Sequence, residues 1–357
     1  MRIGVPREIK PLEGRTGLIP AACSGLVAAG HQVFIESGAG VQSGYADEAY
    51  RAAGAEITAD AAGLYEHSEL IVKVKEPVDA DLQHLHAGHI LFSYLHLAAN
   101  QPLMDALCDI GLTAIAFETV QDAAGALPLL APMSDVAGRL AVQLGTQLLH
   151  SPQGGKGLLL GGLPGAERGR VTVIGAGVAG GSSARLAAAL GAEVTVFDRK
   201  RGRLEVMREL GDNVTALYPY PDSVTQAVVG ADLVIGAVLI PGARAPHVVT
   251  ADHVRAMQAG SVVVDISVDQ GGCIETTRPT DYRAPTYMVD DVVHLAVTNM
   301  PGAVPRSASQ ALSAALTPYL LILAAGGLEE NSELQHGLNV AAGKIRHPAL
   351  LSLSESK

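Results

Sequence analysis

The sequence predicts an α/β protein of two domains with mostly parallel sheets, the first domain discontinuous and completed by C-terminal helices. Three observations carry that expectation. Short β-branched runs alternate with Ala/Leu-rich helical stretches along nearly the whole chain, the pattern of strands joined by crossover helices. A length of 357 residues exceeds what one ordinary core supports. A glycine pattern, "VIGAGVAGG", stands at the head of the second series of strands.

Taken in order, the first 130 residues hold five strand-like runs, "RIGV", "QVFIE", "LIVKVK", "HILFSYL" and "TAIAFE", with a helix over Pro20 to Ala29 between the first two. The stretch "SPQGGKGLLLGGLPGAERG" reads as a loop or hairpin. Its "GGKG" lacks the GxxxxGK[ST] spacing of a phosphate loop, so it receives no nucleotide role. A second series follows: "VTVIG", "EVTVFD", "VTALY", "DLVIGAV", "SVVVDIS" and "VVHLAV". Beyond residue 306 the chain turns helical and Ala-rich, which suits packing back onto the first domain. The expected boundaries are therefore 1–128 plus 307–357 for one domain and 129–306 for the other. The greasy run "ALSAALTPYLLILAAGG" is interrupted by Ser313, Thr317 and Pro318, and reads as a buried or subunit-contact helix rather than a membrane span.

A formal net charge of −11 argues against nucleic acid as a partner, because phosphate binding needs a concentrated basic surface. Cys23, Cys108 and Cys273 are odd in number and far apart, so neither a disulfide framework nor a zinc pattern is expected. The opening "MRIGVPREIK" has no apolar signal core, and a cytoplasmic setting is the simplest expectation.

The strongest local signal is "VTVIGAGVAGGSSARLAAALGAEVTVFD". Gly175, Gly177 and Gly180 form GxGxxG between a strand and a helix, and Val178 opens that helix. Gly175 makes the tight turn, Gly177 lets a pyrophosphate approach the backbone, and Gly180 allows close packing of helix on strand. A second strand ends in Asp198, whose carboxylate can accept from both ribose hydroxyls. This order defines a Rossmann-like dinucleotide domain, and the alternation in the first 130 residues makes the other domain Rossmann-like as well. NAD is the expected cofactor. Arg199, Lys200, Arg201 and Arg203 follow at once and could instead grip a 2′-phosphate, although all but Arg203 read better as a solvated helix start.

Two reactive side chains fall at the carboxyl ends of predicted neighbouring strands: Lys75 in "LIVKVKEP" and His96 in "LFSYLHLA". Ligands of open α/β sheets bind outside those ends. His96 by itself reads as a satisfied core histidine; beside a strand-end lysine and a nucleotide domain it reads as an acid/base. Arg15, in a polar loop, is either a carboxylate clamp or a surface arginine. Asp269 lies in a glycine-bounded loop after an apolar strand, whereas Asp265, within that strand, reads as structural. His84, His86 and His89 fall in a short exposed stretch whose spacing matches no metal site. Asp290, Asp291 and His294 look metal-like but have no further ligands nearby, so no metal is expected.

With these pieces placed, the chain resembles the L-alanine dehydrogenase family from its first residue to "GLNVAAGKIRHP". The motifs that carry the likeness include "RIGVPREIK", "VKVKEP", "SYLHLA", "LPLLAPMSDVAGR", "VIGAGVAG", "DLVIGAVLIPGARAP", "GSVVVDISVDQGG" and "NMPGAVPR". The resemblance implies that Arg15 and Lys75 hold substrate, that His96 is the acid/base, and that Asp269 completes the site. It implies cofactor contacts from Ser134, Gly175, Gly177, Val178, Gly180, Asp198, Arg203, Leu239, Ile240, Asn299 and Met300. It further implies a substrate domain covering the cleft of the NAD domain, no membrane partner, and a homo-oligomer, often a hexamer. Departures exist: "MSD" stands where "MSE" is common, and Pro219 stands where a serine often touches adenosine.

The reaction so implied is reversible oxidative deamination of L-alanine to pyruvate and ammonium. Two alternatives remain at this stage. One is a related dehydrogenase for another small amino acid, since one methylene is worth only about 1–3 kcal/mol in a pocket. The other is an NAD(H)-binding transhydrogenase-like module without substrate chemistry, a class that typically lacks a histidine in the "SYLHLA" frame.

Overall fold

Apolar runs become strands in this chain, and several stop short of the run that announces them. In a computed structural model, which describes residues 1–238 and 245–355, the first series is β1 (Arg2–Val5), β2 (Gln32–Glu36), β3 (Glu56–Thr58), β4 (Leu70–Val72), β5 (Ile90–Ser93) and β6 (Thr113–Ala116). The second is β7 (Arg170–Ile174), β8 (Glu193–Phe197), β9 (Val214–Leu217), β10 (Leu233–Gly236), β11 (Val262–Asp265), β12 (Thr286–Val289) and β13 (Val292–Leu295). Two more, β14 (Leu338–Ala341) and β15 (Lys344–Ile345), follow near the C-terminus. Chain contacts divide these elements into two units, Met1–Met133 with the chain from Val304 onward, and Ser134–Ala303.

The first unit holds an eight-stranded sheet in the order β15-β14-β6-β5-β4-β1-β2-β3. β1 to β6 pair in parallel, while β14 and β15 add antiparallel strands at the β6 edge. Both faces are covered, so successive residues of one strand enter different cores. Val72 and Phe92 face one apolar cluster; Ile71 and Leu91 face the other.

The C-terminal completion thus includes a hairpin as well as helices. Its turn carries Ala342 at φ 49° and Gly343 at φ 72°. A left-handed alanine is an uncommon turn residue, so the segment lacked the Asn-Gly type of signal that marks a hairpin. The helix Pro305–Ala324 is long and apolar enough to cross a membrane by length and composition. Here Ala308, Leu312, Leu316, Leu320 and Leu323 fill the core of the first unit. The hydroxyls of Ser309 and Ser313 accept the backbone amides of Thr16 and Ile19, at 2.9 and 3.1 Å.

The second unit holds a seven-stranded sheet in the order β12-β13-β11-β10-β7-β8-β9, parallel except for β12. Asp290 and Asp291 form the left-handed two-residue turn of the β12–β13 hairpin. His294 is buried on β13, with Nε2 2.8 Å from the Thr276 hydroxyl and Nδ1 3.0 Å from the Val292 carbonyl. The glycine-rich stretch 151–169 is a loop with a single bridge, Leu163 to Ala166, rather than a hairpin. Its Lys156 ammonium reaches Asp232 at 2.7 Å and Gln258 at 3.0 Å, a tie within the unit.

One histidine departs from expectation. His89 is buried rather than exposed, its Nε2 3.0 Å from the Tyr65 carbonyl and its ring stacked on His86 at 3.7 Å. The Tyr65 carbonyl, the His86 amide donating to Nδ1 at 3.2 Å, and ring stacking satisfy an imidazole that its polar surroundings in sequence did not mark as internal.

Candidate active site

Lys75 and His96 each stand three residues beyond a strand, Lys75 after β4 and His96 after β5. Those strands are neighbours, with Leu70, Ile71 and Val72 opposite Ile90, Leu91 and Phe92. The chains stay paired past their ends through the Lys73 amide on the Phe92 carbonyl (3.1 Å) and the Tyr94 amide on the Val74 carbonyl (3.2 Å). Both reactive residues therefore emerge together at the carboxyl edge of the sheet.

Each exit is held by a carboxylate from the strand on its other side. Beyond β1, Glu8 accepts the amides of Val74 and Lys75 on Oε1, at 2.6 and 3.3 Å. Beyond β6, Glu118 accepts the amides of Leu95 and His96. Strand-exit amides left without partners inside a protein would be costly, and a carboxylate is a strong acceptor for two at once.

The two lysines of "KVK" are separated by this arrangement. Lys73 is 1% exposed, with Nζ 3.2 Å from Asp81 and 3.6 Å from Glu8. Burial opposes its charge, but those two carboxylates outweigh burial and keep it a cation. Tyr65 donates to the same Asp81 at 3.0 Å. Burial pushes the Glu8 carboxyl above its ordinary range, against the pull of Lys73. Lys75 is half-buried, and no hydrogen bond or ion pair of its ammonium is found among the described residues. Burial, and then the charge of Arg15, lower its pKa.

Arg15 is buried at 3% exposure, so the loop that reads as polar in sequence is internal. Glu13 grips it in bidentate fashion, Nε to Oε1 at 2.6 Å and Nη2 to Oε2 at 2.5 Å, while Nη1 points to the Met133 sulfur at 3.2 Å. Burial disfavours the guanidinium charge, yet the hydrogen bond and charge of Glu13 hold its pKa above the ordinary value.

His96 sits at φ 50° and ψ 37°, a left-handed conformation that costs a non-glycine residue about 1–2 kcal/mol. Its ring lies parallel to that of Tyr94, 6.0 Å apart and 5° between planes. Tyr94 is buried, donates to the Leu129 carbonyl at 2.6 Å, and feels the charge of Arg15. Lys75 and Tyr94 both lie within electrostatic range of Arg15, and the Tyr94 ring lies parallel to that of His96, which links the three expected residues of the first unit. Glu8, Glu13, Tyr94 and Glu118 were not singled out in sequence. The available signal was position: Tyr94 and Glu118, like His96, stand just beyond strand ends.

In the second unit, a Cβ on Gly175 would lie 2.7 Å from the Ala237 carbonyl, and one on Gly180 would lie 1.7 Å from the Gly175 carbonyl. Among the described residues, the nearest neighbour of a Cβ on Gly177 is Arg203 Nη1 at 3.9 Å, and Gly177 begins the helix Val178–Ala189 without a side-chain cap. Uncapped amides at a helix start, with room for close approach, fit a pyrophosphate. Asp198 directly follows β8 and accepts from the Ala176 and Lys200 amides at 2.9 and 2.8 Å; Arg203 reaches it at 3.3 Å. Arg201 pairs instead with Glu205 at 2.8 Å on the surface. The donor and acceptor set fits a dinucleotide with a free ribose diol.

Ser134 is half-buried in the first turn of the helix Ala131–Leu148, and the next residue, Asp135, accepts from Ser182. Asp269 is exposed in the turn Val268–Gln270. Asp265 is fully buried beneath it, accepting from the Ser267 and Cys273 amides and the Thr277 hydroxyl. Val178 is half exposed, Asn299 is half-buried, and Met300 is buried at 2% exposure. Leu239 and Ile240 lie outside the described residues.

One unit with a dinucleotide turn and another with two strand-end cations and an imidazole define a class, the two-unit nucleotide-binding α/β proteins. Comparisons narrow it. Residues 4–137 match the Alanine dehydrogenase/PNT, N-terminal domain, and residues 141–348 match the Alanine dehydrogenase/PNT, C-terminal domain. An alanine dehydrogenase of Halomonas elongata is 48% identical over 98% of this chain and 96% of its own. A solved L-alanine dehydrogenase aligns with a TM-score of 0.96 and 48% identity, covering 100% of this chain and 99% of its own. A transhydrogenase from Sinorhizobium meliloti aligns at a TM-score of 0.85 and 26% identity, over 98% of this chain and 100% of its own. The chain belongs to the alanine dehydrogenase/PNT family.

Proposed function

We propose that this chain is an NAD-dependent L-alanine dehydrogenase, interconverting L-alanine with pyruvate and ammonium. The observation that carries the reading is that Lys75 and His96 leave the adjacent strands β4 and β5 together, with Arg15, from the loop after β1, within electrostatic range of Lys75 and Tyr94. This arrangement contains two cations for a small carboxylate and one group that exchanges protons near neutral pH. Family membership and near-full-length identity to alanine dehydrogenases support it.

Arg15, its plane fixed by Glu13, binds the substrate carboxylate, and Lys75 polarises the oxygen of the carbonyl or carbinolamine as a fixed cation. NAD, held by the glycine turn with Asp198 and Arg203, would supply the hydride acceptor for Cα and, in its reduced form, the hydride donor for the reverse direction. His96 takes the proton from the water that adds to the iminium and passes it to the amine nitrogen; as the C–N bond breaks and the carbonyl forms, it takes the hydroxyl proton of the carbinolamine and hands it to the departing ammonia, which leaves as ammonium. Asp269 is assigned the cationic, nitrogen-bearing intermediates. In the second unit, Gly175, Gly177 and Gly180 with Val178 hold the pyrophosphate, and Asp198 and Arg203 hold the ribose. Ser134, Asn299 and Met300, together with Leu239 and Ile240, complete the cofactor contacts. Homo-oligomerisation as a hexamer and a cytoplasmic setting complete the proposal; the three unpaired cysteines support the latter.

The test is NADH production across a panel of L-amino acids, with His96→Ala beside the unaltered chain. Alanine is expected to give the highest kcat/KM, and His96→Ala to lower kcat by about 10²-fold or more in both directions while NADH still binds. NADH binding with silence toward every amino acid would favour a nucleotide-binding module of the transhydrogenase kind. A stronger response to serine, 2-aminobutyrate or glycine would keep the chemistry and change the substrate.

A further inference from the structure

We propose that Glu118 is the positioning residue of His96, fixing both its main chain and the tautomer of its imidazole; the proposal rests on His96 being the proton carrier. Glu118 lies in the short turn Phe117–Thr119 that follows β6, and its side chain is 16% exposed. Oε1 accepts the His96 amide at 2.6 Å and the Leu95 amide at 3.2 Å, and Oε2 lies 3.3 Å from the same Leu95 amide. The same Oε1 stands 3.8 Å from Nδ1 of the His96 ring. One carboxylate thereby anchors the backbone on the near side of a left-handed residue and sets a negative charge beside one nitrogen of its ring.

The other groups facing Glu118 leave that charge to His96. Tyr94, from the β5 exit, is buried and its phenol pushed upward, so it stays neutral. His347, from the link between β15 and the helix Pro348–Glu355, is held below the ordinary histidine range by burial, against the pull of Glu118 and with His336 behind it. Its Nδ1 is buried without a hydrogen-bond partner among the described residues. The helix Pro348–Glu355 also packs on Leu97–Ala99, the turn that follows His96. A neutral His96 ring beside a carboxylate keeps its proton on Nδ1, which leaves the Nε2 lone pair to receive a proton from water or substrate.

Glu118→Gln keeps an oxygen for the two amides and removes the charge; Glu118→Asp keeps the charge and withdraws it by one methylene. Histidine-labelled protein without ligands is observed by 15N NMR, the His96 signal being assigned by its loss in His96→Gln. Glu118→Gln is expected to lower kcat by at least ~10-fold in both directions, with KM for pyruvate and NADH affinity within about threefold. It is also expected to shift the neutral ring of His96 toward the Nε2-protonated tautomer. Glu118→Asp should retain the Nδ1-protonated form and lose less activity, and it carries the same readouts if the glutamine variant does not fold. A glutamine variant with unchanged tautomer overturns the proposal, whether kcat holds or falls, provided that His96→Gln is inactive. An active His96→Gln would overturn the reading of His96 itself.

Discussion

Lys73 and Lys75 are two residues apart in one run, and the fold gives them opposite fates. Lys73 is enclosed by Glu8 and Asp81, whereas Lys75 faces Arg15 with no anion bonded to its ammonium among the described residues. Sequence marked Lys75 by its place at the carboxyl end of a predicted strand but could not show that Lys73 is neutralised. The carboxylates Glu8, Glu13 and Glu118 were equally hidden, because an isolated glutamate reads as surface until its partners are known. Lys75 carries a pH prediction. Burial and Arg15 lower its pKa, so between the lowered value and the ordinary lysine range the folded chain holds fewer protons than the unfolded one. Stability from this group therefore rises with pH through that window, while substrate binding, which needs the cation, is lost as pH rises through the folded value. KM for pyruvate should climb on the alkaline side at a pH below the ordinary lysine range. Lys75→Met should raise that KM by about 10-fold or more and erase the limb; an unchanged alkaline profile in the methionine variant would assign the limb to another group.

At the scale of elements, the inner parallel strands β1, β4, β5, β10 and β11 were legible because both faces are buried and their runs are almost wholly apolar. β3, β12, β14 and β15 were not. "EIT" and "KI" are short, "TYMV" is half exposed, and the β14–β15 turn uses Ala342 where hairpins favour asparagine or glycine. The glycine turn was legible in full, and its two inner glycines make separable predictions. Gly180→Ala places a Cβ 1.7 Å from the Gly175 carbonyl, so the helix Val178–Ala189 must shift. Overpacking of that kind costs about 1–3 kcal/mol, visible as a lowered melting temperature together with weakened NADH binding. Among the described residues, Gly177→Ala meets only the Arg203 guanidinium, at 3.9 Å. Its melting temperature should be nearly unchanged, while NADH affinity, followed by fluorescence titration, falls by about 10-fold because the Cβ stands where the pyrophosphate approaches. Parallel losses of stability and affinity in both variants would mean that Gly177 is structural.

For the molecule as a whole, the sequence suggested two domains with a returning C-terminus, and the structure divides at Met133/Ser134 and Ala303/Val304. The family match to residues 141–348 crosses the second of these points, so sequence segments and physical units are different divisions of this chain. The reason is the helix Pro305–Ala324, which joins β1 to β6 by burying its leucines in their core. Leu316 is fully buried there. Leu316→Ala should destabilise the first unit by about 2–5 kcal/mol, the cost of a large-to-small core change. Because the second unit has its own sheet and core, the loss should stay local. Hydrogen exchange followed by peptide is the measurement: amides of β1, β4, β5 and the helix Pro305–Ala324 should exchange faster, and those of β7, β10 and β11 should not. Equal acceleration in both sets would mean that the two units open as one cooperative body, and the division drawn from the fold would not be a division in stability.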